Sequence, residues 1–215
     1  QGAVASEEYW RTLITLAERY DFKVFADECY SEIYRNTAPV GALETANAMG
    51  ADPDRIVIFH SLSKRSNLPG LRSGFVASGA DNVREIKQLR NYAGTPLPLP
   101  LQMASAEVWS DEEHVIENRS LYVEKYETAD RLLGHVPGYS SPEAGFFLWL
   151  PVENDEVAAV KLWRETGVRV LPGGYLAQDY KGVNPGRDYI RVAMVAPKAE
   201  MTRGIEAIRD CLYPQ

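Results

Sequence analysis

Apolar and polar positions follow different periods along this chain, and each change of period predicts a new element. After Ser6 the apolar residues recur at helical spacing, which predicts a capped helix that ends at Asp21. Short apolar runs bounded by turn residues follow, and such runs are typical of buried strands. Before residue 100 the predicted strands are Lys23–Glu28, Arg55–His60 and Ser73–Ser78.

The turn between the last two of these strands restricts their relative direction. It is too short for the helical crossover that joins parallel neighbours. We therefore expect the third strand to run antiparallel to the second or to lie at a different level. A helix over Asn82–Arg90 and a proline-punctuated connector over Thr95–Leu101 are predicted next.

The rest of the chain predicts further helices and three more strands. Helical spacing continues from Leu101 to Leu133, with a polar interruption near Asp111–His114. Later helices are predicted over Glu156–Thr166 and Lys198–Cys211, the first of them stopped by Gly167. The strands predicted among them are Gly145–Leu150, Val168–Leu171 and Tyr189–Val195.

This order of elements predicts an α/β fold in which a three-layer domain is followed by a smaller α+β domain. We expect residues 1–100 to belong to the first domain, 101–133 to form bridging helices, and 134–215 to form the small α+β domain. Three predicted strands are fewer than the ~5–6 of a typical sheet. The first domain is therefore expected to be only the back part of a larger one.

Composition and charge argue against several function classes. The 215 residues carry a formal net charge of -7, which is unfavourable for a nucleic-acid-binding surface. The longest apolar runs are too short to cross a bilayer. Cys29 and Cys211 share no metal-ligand spacing with each other or with the three histidines. We therefore expect a cytoplasmic protein with no metal site, no membrane contact and no nucleic-acid partner.

One lysine stands in an unusual turn, within the stretch IFHSLSKRSNLPGLRSGFVAS. Lys64 lies between two predicted strands, with Ser61 and Ser63 before it and Arg72 after it. A solvated turn lysine is the ordinary interpretation. However, hydroxyls and a guanidinium suit a phosphate dianion, and burial beside a cation would lower the pKa of the lysine and favour its neutral form. Lysine amines form Schiff bases with aldehydes, so a phosphate site beside this lysine points to pyridoxal phosphate.

That cofactor would also need an acid beside its ring nitrogen. Asp27 lies at the carboxyl end of the first predicted strand, where α/β sheets place their ligands. By itself, such an acid is more often a cap or turn residue. Tyr30, three residues further on, could donate to the phenolate oxygen of the cofactor or be an ordinary core tyrosine. With the segment around Lys64, these residues supply the four kinds of group that pyridoxal phosphate requires.

These segments resemble the pyridoxal-phosphate signature of class I/II aminotransferases of fold type I. The matching residues are Asp27-Glu28-Cys29-Tyr30, Ser61-Leu62-Ser63-Lys64, and Arg72 with Gly74. The resemblance implies that Lys64 bonds covalently to the cofactor. It also implies that Asp27 pairs with the ring nitrogen and Tyr30 with the phenolate oxygen. The phosphate is then expected to bind Ser61, Ser63 and Arg72.

The resemblance extends to the C-terminal region. Tyr189–Ala193 is similar to the family strand whose arginine holds the substrate carboxylate, which implies this role for Arg191. An exposed strand arginine is the alternative. Val170–Tyr175 is similar to a loop that lies over the active site in the family, although a plain tight turn would explain its sequence nearly as well.

The resemblance covers nearly all of the chain and implies that it is the C-terminal part of a longer enzyme. The family's glycine-bearing phosphate turn, its ring-stacking aromatic residue and its Asn-Pro motif would precede Gln1. We therefore expect the chain to be inactive by itself, and the whole protein to be a homodimer.

The implied activity is transamination between an amino acid and a 2-oxo acid. The sequence of the motif around Lys64 most resembles that of succinyldiaminopimelate transaminases of lysine biosynthesis. Aspartate-type or aromatic-type activity is the main alternative. Two other classes stay open. One is a β-lyase with the same cofactor residues, and the other is the ligand-sensing domain of a transcription regulator.

Overall fold

The computed structural model describes residues 1–94 and 96–214, and the chain divides into two compact units. One unit comprises Val4–Arg119, and the other comprises Gln1–Ala3 with Ser120–Gln215. The α/β fold class is confirmed, since both units combine helices with a sheet. The three domain ranges expected from the sequence stay a prediction about the whole protein.

The sheet of the first unit contains three strands in the order of the chain. They are β1 (Val24–Asp27), β2 (Ile56–Ser61) and β3 (Gly74–Ser78). β1 and β2 are parallel, so their carboxyl ends lie at the same edge of the sheet. β3 is antiparallel to β2, which confirms the direction expected from the short turn between them.

The first two helices of this unit cover one face of the sheet. They are α1 (Glu7–Tyr20) and α2 (Ala42–Met49). The Ser6 hydroxyl accepts a hydrogen bond from the Tyr9 N–H at 3.1 Å and caps α1, and Asp21 ends the helix with a left-handed backbone, as the sequence predicted. The buried cluster that joins helices and sheet consists of Ile14, Ala17, Val24, Ala26, Ala42, Ala46 and Ile56.

Four further helices follow in the chain. They are α3 (Leu62–Arg65), α4 (Ala80–Tyr92), α5 (Leu99–Ser110) and α6 (Glu113–Leu133), the last of which contains the boundary between the units. A short 3₁₀ turn at Pro53–Arg55 precedes β2, and another at Pro69–Leu71 lies between α3 and β3. The helical pattern with a break near Asp111 is therefore confirmed.

The proline-punctuated connector is shorter than predicted. Its first residue, Thr95, lies outside the described residues. The prediction was wrong from Leu99 onward because α5 begins there. Pro98 takes the N-cap position and Pro100 lies in the first turn, where a missing N–H costs no helical hydrogen bond.

The second unit has its own antiparallel sheet, in the order β4-β6-β5. Its elements are β4 (Phe147–Pro151), α7 (Asp155–Thr166), β5 (Leu171–Pro172), a 3₁₀ turn (Gly173–Leu176), β6 (Tyr189–Ala193) and α8 (Lys198–Leu212). Gly167 ends α7 in a left-handed conformation, as predicted.

The strand predicted over Val168–Leu171 was largely wrong, since only Leu171 of that range pairs with β6. The chain has just left the left-handed cap at Gly167, and the Val168 N–H donates to the Thr166 hydroxyl at 3.2 Å instead of a neighbouring strand. A local hydrogen bond therefore replaces the ladder at this point.

Candidate active site

The candidate site of the first unit lies where β1 and β2 end. Asp27 is the last residue of β1 and Ser61 the last of β2. Because these strands are parallel, the two ends meet at one edge of the sheet, which is where ligands bind in open α/β folds. The Glu28 N–H donates to the Phe59 carbonyl at 3.0 Å and holds the two strand ends together just beyond the last paired residues.

Three of the predicted residues influence one thiol, that of Cys29. The Cys29 N–H donates to Asp27 Oδ1 at 3.2 Å. Burial is the main cause that raises the pKa of the Cys29 thiol, and a hydrogen bond to Asp27 raises it further. A hydrogen bond with Ser61 and the charge of Lys64 act in the opposite direction. Asp27 thus lies against the Cys29 turn at the end of β1, and Lys64 follows Ser61 at the end of the neighbouring strand β2.

Lys64 and Tyr30 also lie together. The Lys64 Nζ is 5.8 Å from the centroid of the Tyr30 ring, and both side chains are half-buried. Lys64 belongs to the single turn of α3, whose first residue, Leu62, is fully buried. The lysine therefore projects from a short, anchored turn instead of from a solvated loop.

Arg72 and Gly74 lie at the far side of this turn. Arg72 is exposed, has a φ of 54° and donates from one guanidinium nitrogen to the Pro69 carbonyl at 2.7 Å. Gly74 pairs with Ser61 across the sheet, and a Cβ at Gly74 would come within 2.5 Å of the His60 carbonyl. Only glycine therefore allows β3 to approach the end of β2 this closely. Ser63 is half-buried between Ser61 and Lys64.

Sequence reasoning missed a supporting pair behind the site, Glu28 and His60. Glu28 Oε2 lies 3.3 Å from His60 Nε2, and both side chains are mostly buried. Glu28 Oε1 accepts a hydrogen bond from the Ala42 N–H, at 2.8 Å, at the start of α2. One carboxylate thus joins the end of β1 to β2 and to α2. The available signal was the position of Glu28 directly after a strand-end aspartate.

Arg191 belongs to the second unit and is described within that unit. It lies in β6, opposite Trp149 of β4 and Leu171 of β5. Its guanidinium carbon is 4.2 Å from the centroid of the Phe147 ring, and the side chain is half-buried. Stacking on an aromatic face orients a guanidinium while leaving its edge N–H groups available for a carboxylate.

The residues of the first unit fit pyridoxal phosphate by the chemistry of their donors. Near Cys29 they provide a carboxylate, a hydroxyl and an amine, with a phenol ring beside the amine. An exposed guanidinium follows in the same turn. These are an acid for a ring nitrogen, a nucleophile for an aldehyde, and donors for a phosphate. Among the described residues, no group of three or more His, Cys, Asp or Glu side chains could hold a metal ion.

Comparisons with known proteins agree with this chemistry. The family model "Aminotransferase class I and II" matches residues 1–208. The chain is 30% identical over 197 residues to the 4-dedimethylamino-4-oxo-anhydrotetracycline transaminase OxyQ of Streptomyces rimosus, covering 91% of this chain and 53% of the relative. It is 28% identical over 211 residues to an LL-diaminopimelate aminotransferase of Dehalococcoides mccartyi, covering 95% and 52%.

A solved structure shows the same fold. An aminotransferase from Neisseria meningitidis superposes with a TM-score of 0.91 at 41% identity, covering 96% of this chain and 53% of that chain. The chain thus spans about half the length of the proteins it matches. Among the described residues, no helix combines the length and apolar character of a membrane span.

Proposed function

Because the chain belongs to the class I and II aminotransferases, we propose that the whole protein moves an amino group between an amino acid and a 2-oxo acid. The family resemblance noted in the sequence is confirmed by the family match. The members of this family depend on pyridoxal phosphate. The observation that carries the proposal is the position of Asp27 and Ser61 at the ends of two parallel strands, with Lys64 in the turn after Ser61 and 5.8 Å from the Tyr30 ring.

Each candidate site residue of the first unit has a proposed part in holding the cofactor. Lys64 is the residue that bonds to it, and Asp27 faces its ring nitrogen. Tyr30 donates to its phenolate oxygen, and the phosphate binds Ser61, Ser63 and Arg72. Pyridoxal phosphate, when bound, supplies an aldehyde that condenses with amines and a ring that withdraws electrons from the reacting carbon.

The chain's own contribution to the reaction is proton transfer. Lys64 Nζ removes the proton from the substrate α-carbon as a general base and later delivers a proton as a general acid. Asp27 would hold a proton on the ring nitrogen of the cofactor. Half-burial of Lys64 beside Tyr30 limits the access of water to the amine.

We propose that Arg191 binds the α-carboxylate of the amino-acid substrate. A guanidinium forms two parallel hydrogen bonds to a carboxylate, a geometry that lysine cannot reproduce. Arg191→Lys should therefore raise KM for the amino donor by about ten- to a hundredfold while the visible spectrum of the bound cofactor is unchanged. Arg169→Lys, at an exposed position of the same unit, is the matched control. Equal KM values for wild type and Arg191→Lys would contradict this role.

For the substrate class we propose diaminopimelate derivatives, with the succinylated form as the first choice. The resemblance of the segment around Lys64 supports the succinylated substrate, and the similarity to an LL-diaminopimelate aminotransferase supports the broader class. Aspartate-type or aromatic-type donors are the competing class. We also propose that the whole protein is a homodimer, which light scattering on the full-length protein tests.

A donor panel with the full-length protein tests the activity. Succinyldiaminopimelate, LL-diaminopimelate, aspartate and phenylalanine are each offered with and without a 2-oxo acid acceptor. We expect sustained turnover only with the acceptor, no release of ammonia, and the highest kcat/KM for a diaminopimelate derivative. Ammonia release without an acceptor would replace transamination by β-lyase activity. Ligand binding with no turnover of any donor would favour a sensing domain instead.

A further inference from the structure

Arg65, which directly follows Lys64, contributes to the site in a different way. We propose that Arg65 is a positioning residue, which directs the Lys64 side chain by holding α3 against the carboxyl end of α5. This inference rests on the proposed function of Lys64. Arg65 is only 6% exposed, whereas an arginine without partners remains in solvent.

The Arg65 guanidinium is used almost entirely by the end of α5. One terminal nitrogen donates to the Val108 carbonyl at 3.0 Å, and the other to the Asp111 carbonyl at 3.3 Å. The second nitrogen also reaches the Trp109 carbonyl at 3.5 Å and the Glu112 carboxylate. These partners offset the cost of removing the charge from water, so this position of Arg65 is specific.

A cation at the carboxyl end of α5 is favourable. The last carbonyls of any α-helix have no partner within the helix, and the helix dipole places partial negative charge there. The last turn of α5 contains no basic residue of its own. Arg65 therefore supplies, from 43 residues away in the sequence, the cation that helices usually carry in their own last turn.

Helix α3 cannot set its own direction. It has four residues, and its turn is closed by a bond from the Ser66 N–H to the Leu62 carbonyl at 3.1 Å. Isolated helices shorter than ~12–15 residues are marginal in water. Lys64 is therefore oriented by its anchored neighbours, which are the buried Leu62 two residues before it and Arg65 directly after it.

Further contacts hold the turn just after Arg65. His114 Nε2 lies 2.8 Å from the Ser66 hydroxyl, and its Nδ1 lies 2.9 Å from Asp111 Oδ2. The Asn67 amide donates to Asn118 Oδ1 at 2.6 Å. The start of α6 thus supports the same turn as Arg65 does.

A row of rings connects Arg65 to the other end of the lysine segment. The Arg65 guanidinium carbon is 5.1 Å from the centroid of the Trp109 ring, and Trp109 meets the Phe75 ring edge-on at 5.0 Å. Phe75 stacks on His60 at 5.1 Å. His60 directly precedes Ser61. The residues on both sides of the Ser61–Lys64 segment therefore lie in one continuous series of ring contacts.

The test compares Arg65→Gln and Arg65→Lys with Arg55→Gln in the full-length protein. Arg55 lies at the opposite end of β2 and pairs with Asp21 and Asp52, so it controls for the loss of a structural arginine. We expect Arg65→Gln to lower kcat about ten- to a hundredfold, with KM altered less than about twofold. Arg65→Lys should recover part of this loss because it keeps the charge. Arg55→Gln should leave kcat unchanged.

Hydrogen exchange in the cofactor-free protein separates the inference from the proposed function. We expect Arg65→Gln to speed exchange of the amides of residues 62–68 about tenfold or more without a comparable change in β1. If Arg65→Gln does not fold, His114→Gln, which breaks the tie between Ser66 and Asp111, should show the same local pattern. Unchanged kcat with unchanged local exchange would overturn the positioning role. Failure to trap cofactor on Lys64 in the wild type would instead overturn the proposed function, and the exchange result would still decide whether Arg65 holds the turn.

Discussion

The Cys29 N–H donates a hydrogen bond to Asp27 Oδ1 at 3.2 Å, in the turn that ends β1. Burial raises the pKa of the Cys29 thiol above its usual value, and the hydrogen bond and charge of Asp27 raise it further. The pKa of this thiol therefore depends on the charge of Asp27, the proposed partner of the ring nitrogen.

Asp27→Asn should lower the pKa of Cys29 because it removes the negative charge that disfavours the thiolate. In cofactor-free protein with Cys211→Ser, alkylation of Cys29 by iodoacetamide should then accelerate, with its pH profile moved to lower pH. Asp81→Asn, on the exposed surface of α4, is the control. Asp27→Asn should also lower turnover by about 10²–10⁴-fold. An unchanged alkylation profile would mean that Asp27 does not lie beside the thiol.

Arg72→Gly should weaken the binding of pyridoxal phosphate without weakening the fold. The left-handed φ of 54° at Arg72 suits glycine at least as well as arginine, so the substitution introduces no backbone strain. Loss of charge-assisted hydrogen bonds worth roughly 1.5–3 kcal/mol corresponds to a rise in Kd of about ten- to more than a hundredfold.

Equilibrium titration of the cofactor-free protein measures the effect of Arg72→Gly, with urea unfolding as the check on stability. Lys181→Gly, at an exposed left-handed position of the second unit, also removes one positive charge; it is the control and should leave Kd close to that of the wild type. Equal Kd values for wild type and Arg72→Gly would remove Arg72 from the phosphate site.

Tyr213 should make the stability of the second unit depend on pH in the alkaline range. Its hydroxyl donates to the Pro151 carbonyl at 2.8 Å, and burial raises its pKa from 10.0 to about 12. A folded-state pKa above the unfolded value means that the fold favours the protonated phenol. This contribution to stability is full below pH 10.0 and is lost as the pH rises toward about 12.

Tyr213→Phe should therefore flatten the decline in unfolding free energy above pH 10.0. Urea unfolding across that range measures the decline in the variant and in wild type. Tyr92→Phe, at a largely exposed tyrosine, should retain the wild-type slope. Parallel declines in wild type and Tyr213→Phe would show that burial does not shift this phenol.

Local signals in the sequence predicted the elements well. The caps at Ser6 and Gly167 and the antiparallel third strand depend on residues close together in the chain, and all three are confirmed. The strand over Val168–Leu171 failed for a local reason that apolar content does not reveal. The Thr166 hydroxyl takes the N–H that a ladder would use.

The site was predictable where a motif carried it and unpredictable where distant segments meet. The segment around Lys64 and the end of β1 contain their candidate residues within a few positions of one another. The contacts of Arg65 with carbonyls 43 to 46 residues away, and of Glu28 with Ala42 and His60, arise only from tertiary packing. Neither periodicity nor composition indicates such contacts. The catalytic and binding roles of the candidate residues stay predictions.

Attachment of the cofactor to Lys64 is the central claim, and chemical trapping tests it most directly. The full-length protein is loaded with pyridoxal phosphate, reduced with borohydride, digested and mapped by mass spectrometry, with Lys64→Ala and the exposed Lys87→Ala in parallel. We predict one modified peptide that carries the label on Lys64, its absence from Lys64→Ala, and its retention in Lys87→Ala. A label on another lysine, or equal labelling of Lys64→Ala and wild type, would contradict the claim.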